Sequence, residues 1–136
     1  MPDTPWITAA GRPRSRVLVV DDNLDAVHSM AVLIKMMGHE CRFAINGLGA
    51  LFMARAFHPE TIFLDIGLPD FSGLDIVRQV RWEPALESTR IIALTALPAI
   101  EREHALEAGC DEFYRKPIDP RDLEELLERG PKVRLQ

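Results

Sequence analysis

A chain of 136 residues, 47% of them apolar, is long enough for one domain with a sizeable core and too short for two. Its formal net charge of -5, with both signs mixed along the chain, lacks the basic stripe of a nucleic-acid binder. No apolar run approaches membrane-spanning length, and Met1 to Arg16, with three prolines and three arginines, lacks the core of a signal peptide, so a soluble cytoplasmic protein touching neither nucleic acid nor membrane is expected. In that setting Cys41 and Cys110 are expected to be reduced, ordinary buried residues.

Residues 1–15 read as a disordered extension. Val17 to Val20 is a β-branched run without alternation, the pattern of a strand buried on both faces of a parallel sheet. Leu24, Val27, Ala31 and Ile34 then recur at helical spacing, and Gly38 marks the helix end. The unit repeats four more times. Cys41 to Ile45 is followed by a helix over Gly49 to Phe57, Thr61 to Leu64 by Gly73 to Trp82, and Ile91 to Leu94 by Ala99 to Ala108. Glu112 to Arg115 and a helix from Asp119 to Arg129 close a domain of residues 16–129, leaving 130–136 as a tail. Five strands alternating with five helices through short connections predict right-handed crossovers and a doubly wound α/β domain, with a parallel sheet covered on both faces.

The functional crevice of such sheets lies beyond the carboxyl ends of the strands. The residues there are Asp21 and Asp22 after the first strand, Asp65 after the third, Thr95 after the fourth and Lys116 after the fifth. Three carboxylates brought within a few ångströms repel unless something positive sits between them. Oxygen ligands without His or Cys suit a hard divalent cation, Mg2+ rather than zinc. Asp65 stands alone at the end of the central strand, so it is the candidate nucleophile for an aspartyl phosphate. Phosphoryl transfer needs cations and donors around the equatorial oxygens; Lys116 supplies a point charge, Thr95 a hydroxyl, and Ala96 leaves room beside it. Lys116-Pro117 is open to either isomer.

Asp21-Asp22, the run Leu64-Asp65-Ile66-Gly67-Leu68-Pro69 followed by Ser72-Gly73, Leu94-Thr95-Ala96 and Lys116-Pro117 together resemble the receiver domain of response regulators, over roughly Arg16 to Arg129. The likeness is to single-domain, chemotaxis-regulator-like receivers, and the loop after Asp65 is similar to receivers of hybrid histidine kinases. It implies a flavodoxin-like fold with strand order 2-1-3-4-5 and Asp65 as phosphoacceptor. It also implies Asp22 as a direct Mg2+ ligand, Asp21 as a mainly water-mediated one, and the Gly67 carbonyl as a third protein ligand. Thr95 and Lys116 would contact the phosphoryl group, and Thr95 with Phe113 would form the conformational switch. Phe113 lacks the hydroxyl often found there, and Tyr114 takes a usually aliphatic place.

The implied donor is a histidine kinase or histidine phosphotransferase. The implied output is a changed surface over the fourth helix, fifth strand and fifth helix, roughly Pro98 to Arg129, read by a downstream protein. Catalysis would be limited to the domain's own phosphorylation and dephosphorylation. Two alternatives stay open: a phosphate shuttle or sink in a multistep relay, and an unphosphorylated pseudo-receiver scaffold. An aspartyl-phosphate phosphatase would want an acid two residues after the nucleophile, where Gly67 stands. A flavin binder would want a hydroxyl- and glycine-rich loop where Asp21-Asp22-Asn23 stands. Each residue also has a plainer role: Asp22 or Asn23 as a helix cap, Asp65 as a turn residue, Thr95 as a cap for the following helix, Phe113 as core. The four histidines are expected at surface or boundary positions, since none lies in a helical hairpin of the kind that carries phosphohistidine.

Overall fold

The computed structural model describes residue 11 and residues 14–68, 73–96 and 100–130. The sequence readings at Pro69, Ser72, Pro98 and Ala99, in most of the N-terminal extension and in the tail beyond Gly130 lie outside them.

The elements are β1 (Arg16–Val20), α1 (Leu24–Met36), β2 (Glu40–Ala44), α2 (Gly47–Phe57), β3 (Thr61–Asp65), α3 (Gly73–Trp82), β4 (Arg90–Thr95), α4 (Ile100–Ala108), β5 (Glu112–Arg115) and α5 (Pro120–Arg129). The strands form one parallel sheet in the order β2-β1-β3-β4-β5, so the doubly wound topology and the expected strand order both hold. A short 3-10 turn over Pro84–Leu86, not foreseen, buries Leu86 between α3 and β4.

Strand alternation sorts the apolar residues into two layers. Val17, Val19, Phe63, Ile92 and Leu94 face α1 and α5, meeting Val27, Ala31 and Ile34 from one helix and Leu123, Leu126 and Leu127 from the other. Leu18, Val20, Ile62, Leu64, Ile91 and Ala93 face α2, α3 and α4. Burying each Val, Leu, Ile or Phe contributes about 1.5–3 kcal/mol, which fixes the helices on their faces. Every residue of β3 and β4 is buried, as continuous apolar runs require.

The boundaries are set by caps. Asn23 caps α1 by accepting the Ala26 N–H, and Asn46 caps α2 by accepting from Gly49, so α2 starts two residues before the predicted Gly49. Asp119 accepts from Arg121 ahead of Pro120 in α5. Gly38, at φ 96°, ends α1 in a Schellman arrangement: its N–H donates to Lys35 and that of His39 to Ile34. His39 is not at the surface as expected. It is buried, and its Nδ1 accepts the Ser15 N–H at 3.1 Å; with the Arg14 side chain donating to the Gly38 carbonyl, this ties the end of the N-terminal extension to the domain.

Gly73 opens α3 against the loop that leaves β3. A Cβ there would lie 2.2 Å from the Ile66 Cα, so only glycine lets this helix end approach the backbone beside Asp65. Gly73→Ala is expected to lose about 1–3 kcal/mol in urea unfolding, through a forced backbone shift; an unchanged midpoint would contradict this close approach. Cys41 and Cys110 lie in opposite core layers, and burial pushes their thiols up to about 11 and about 12. Both should therefore resist a thiol reagent at pH 8 in the native protein and react at once after unfolding.

Candidate functional site

The register of the sheet builds the site. Val20 pairs with Leu64, so Asp21 and Asp65 take the next level side by side on adjacent strands. Neighbouring strands lie about 4.8 Å apart. Continued alternation turns both carboxylates toward the α1 and α5 face. Asp22 follows in the turn, and the three residues offer carboxylate oxygens that all lie within 4.8 Å of one another. Asp21 is buried, Asp65 is only 8% exposed, and Asp22 is open to solvent.

Short-range donors hold the first and last of these. Asp21 Oδ1 accepts the Asn23 N–H at 2.9 Å, and Asp65 Oδ1 accepts the Gly67 N–H at 2.9 Å. Each carboxylate thus closes a small turn with one oxygen and presents the other inward. Asn23, not Asp22, caps α1, which leaves the Asp22 carboxylate for the crevice.

Lys116 reaches this cluster from the far side of β4. Its backbone N–H donates to the Thr95 carbonyl at 2.8 Å, and its Nζ donates to Asp21 Oδ2 at 2.5 Å and to Asp65 Oδ2 at 3.2 Å. The Lys116-Pro117 peptide is cis. Burial disfavours the ammonium, but its hydrogen bond to Asp21 and the charge of Asp65 outweigh it and leave the lysine pKa above its usual value. The stability this pairing confers is therefore present below the unfolded lysine pKa and is lost as pH rises through the higher folded one. Behind the carboxylates lies an apolar recess of about 190 Å³, lined by Met30, Leu33, Leu94, Ile118 and Leu123 among others.

Of the residues singled out from sequence, Asp21, Asp22, Asp65 and Lys116 come together directly. Thr95 is buried at the end of β4, one level beyond the Asp65–Leu94 pair. Gly67 stands two residues past Asp65 and is exposed; a side chain there would meet only Asp65 Oδ1, at 3.4 Å. Phe113 does not join the cluster. It pairs with Ala93 in β5 and packs half-buried on the α2, α3 and α4 core layer, while Tyr114 turns to the opposite layer and donates its hydroxyl to Glu112. The donor set consists of carboxylates alone, which suits a hard divalent cation such as Mg2+ and disfavours zinc.

Five parallel strands in the order 2-1-3-4-5, with an acidic crevice at their carboxyl ends and a lysine reaching into it, define a flavodoxin-like domain with a receiver-type pocket. The family model of the response regulator receiver domain matches residues 17–128, and the chain belongs to that family. It is 34% identical over 110 residues to the polar-differentiation response regulator DivK of Brucella ovis, covering 79% of this chain and 89% of that one. Among solved structures, the chemotaxis response regulator CheY4 of Vibrio cholerae superposes with a TM-score of 0.79 at 26% identity, covering 85% of this chain and 98% of that one. A CheY-like receiver domain from Methylobacillus flagellatus gives 0.77 at 28%, with 85% and 98% covered. Receiver domains are signalling modules of two-component systems that work with histidine kinases or phosphotransfer proteins. No helix among the described residues is long and apolar enough to cross a membrane.

Removing the Lys116 charge leaves buried carboxylates facing one another. Lys116→Met should cost about 1–3 kcal/mol in urea unfolding at pH 7.5 in EDTA. Adding Asp65→Asn should recover most of that loss, because one of the repelling charges is gone. Purely additive effects of the two changes would sink this account of the lysine.

Proposed function

We propose that this domain accepts a phosphoryl group on Asp65 from a phosphohistidine of a histidine kinase or histidine phosphotransferase. The observation that supports this best is the Lys116 ammonium held 3.2 Å from the free oxygen of a buried aspartate, inside a cluster of three carboxylates. A structural aspartate would not need this company.

Asp65 Oδ2 is the attacking oxygen. Its neighbour Oδ1 is held by the Gly67 N–H, which fixes the carboxylate plane and aims the reactive oxygen into the crevice. The P–N bond to imidazole breaks as the P–O bond to Asp65 forms, and the leaving ring keeps the electron pair. Lys116 offers its charge to one equatorial oxygen, and the Thr95 hydroxyl donates to another. Asp22, Asp65 and the Gly67 carbonyl hold Mg2+, with Asp21 acting mainly through water; when bound, the ion neutralises charge developing on the phosphoryl oxygens. The low exposure of Asp21 and Asp65 strengthens each of these interactions.

The roughly two negative charges added by phosphorylation change what Lys116 and Thr95 must bind. Because the Lys116 N–H is bonded to the Thr95 carbonyl, displacement of either reaches β4 and β5 together. Phe113 lies on β5 beneath α4, where it can follow, and the face from Pro98 to Arg129 is the surface a downstream protein reads. The mechanism is a shift between two populated arrangements.

Incubation with acetyl phosphate and Mg2+, followed by intact-mass measurement, should show one added phosphoryl group on the wild type. The adduct should be absent from Asp65→Asn and absent in EDTA. An adduct that persists on Asp65→Asn would move the acceptor elsewhere; no adduct and no trapping by beryllofluoride would leave a scaffold that binds without phosphorylation.

A further inference from the structure

Ser15, the residue ahead of β1, and His39, the residue ahead of β2, meet at the end of the sheet opposite the carboxylates. His39 is only 6% exposed. Its Nδ1 lies 3.1 Å from the Ser15 amide nitrogen and 2.9 Å from the Ser15 Oγ. A backbone N–H can only donate, so Nδ1 must accept, and the imidazole is held neutral with its proton on Nε2. Two further bonds close the same join: the Arg14 Nε donates to the Gly38 carbonyl at 2.7 Å, and the Glu40 N–H donates to the Ser15 carbonyl at 3.0 Å. The chain entering β1 is thereby clasped to the turn between α1 and β2.

A proton on Nδ1 sets one N–H against another and removes the acceptor from Ser15. The surroundings oppose that proton as well. From the chain ahead of β1 comes Arg14, whose charge adds to burial in holding the ring below its ordinary pKa of 6.5, burial being the larger cause. Arg16, in β1, turns its guanidinium to the Phe57 and His58 carbonyls. Lys35, in the last turn of α1, is exposed, as is Glu40 at the start of β2, and beside Glu40 the buried Cys41 keeps its thiol protonated, with its pKa pushed up to about 11. Among the described residues no carboxylate pairs with His39. A buried histidine that only fills space needs neither an obligate donor at Nδ1 nor a cation nearby.

We propose that His39 is an acid-released clasp: as the neutral ring it holds Arg14 and Ser15 against the α1–β2 turn, and on protonation it lets the chain ahead of β1 come away from the domain. The proposal rests on no reading of the acid pocket. The freed imidazole takes a proton more readily than the clasped one, so the clasp is whole above the ordinary value of 6.5 and is lost as pH falls through the lower folded value. Between the two values each pH unit favours release about tenfold. Release also takes the Ser15 carbonyl from the Glu40 N–H, while the pairing of β1 with β2 from Val17 and Cys41 onward stays in place. What acid controls is therefore the attachment of the chain that precedes Arg16, not the sheet that carries Asp65.

Heteronuclear NMR of the full chain between pH 7.5 and about 5 reads the clasp directly. In the wild type the Ser15 and Glu40 amides should lose hydrogen-exchange protection, corrected for the intrinsic rate, by about tenfold per pH unit as the His39 ring titrates, while amides within β3 and β4 stay protected. His39→Asn places a side-chain oxygen where Nδ1 stood and does not titrate in this range, so it should keep both amides protected throughout. Far-UV circular dichroism establishes that the variant folds, and the wild-type titration decides the matter without it. A His39 ring that takes up its proton while both amides stay protected overturns the proposal, and so does a ring that remains neutral over the whole range. Loss of protection in His39→Asn equal to that of the wild type also overturns it, and assigns the opening to another group.

Discussion

Parallel pairing of β1 with β3 places Asp21 and Asp65 on adjacent strands at one level, and the rest of the site answers to that placement. Two unit charges 4.8 Å apart, the span of the cluster, repel by about 3 kcal/mol at an effective dielectric near 20. Asp22 adds a third charge. A cost of that size is a sizeable part of a domain's total stability, so the chain must supply a counter-charge. It comes from the far side of β4. With the order 2-1-3-4-5, β5 ends close enough for Lys116 to reach Asp21 and Asp65 at once. Strand order, the β4–β5 pairing and the Thr95–Lys116 backbone bond therefore all serve one electrostatic requirement.

The same requirement makes the pocket responsive under the proposed chemistry. Lys116 is shared between two carboxylates, and any new anion on Asp65 redistributes it. Its backbone is tied to Thr95, the last residue of a fully buried strand, while β5 is an edge strand with no fully buried residue. A change in the lysine's partners is thus transmitted to that edge strand. Phe113, on that strand and half-buried under α4, sits where such a shift alters the surface without passing through the pocket.

Much of this was legible in the sequence because it is written at short range. Apolar runs without alternation give buried parallel strands, and the polar residues ending them give the crevice. What escaped depends on partners distant along the chain. Arg90 is buried at the opposite end of the sheet, where its guanidinium donates to Thr61 Oγ1 and the Gly130 carbonyl, and burial lowers its pKa. Arg81 joins Asp111, Thr89 and Gly109 in a similar clasp between α3 and the chain around β4. Neither arginine is marked by its neighbours in sequence. His39 looked like a boundary residue because its acceptor role is defined by Ser15, 24 positions away. The start of α2 was missed because Gly47 is a poor helix former, and only the Asn46 cap, invisible to apolar periodicity, makes it helical. The isomer of Lys116-Pro117 has no sequence signal at all.

Charge is distributed along the sheet as unevenly as it is across the pocket. α4 and α5 flank one edge strand and carry nearly all the surplus acid, whereas α1 and α2 flank the other and hold three charges between them. Under the proposed chemistry, further negative charge at Asp65 adds to the acidic field on that side of the sheet. The α1 and α2 flank has no such surplus and carries most of the exposed large apolar side chains among the described residues. Helix α1 begins two residues after Asp22, so its first turn forms part of the crevice wall. Under the proposed function, a molecule covering α1 bears on access to Asp65, while one covering α4 and α5 bears on the response to phosphorylation. On that reading, the two edges of a single sheet divide input from output.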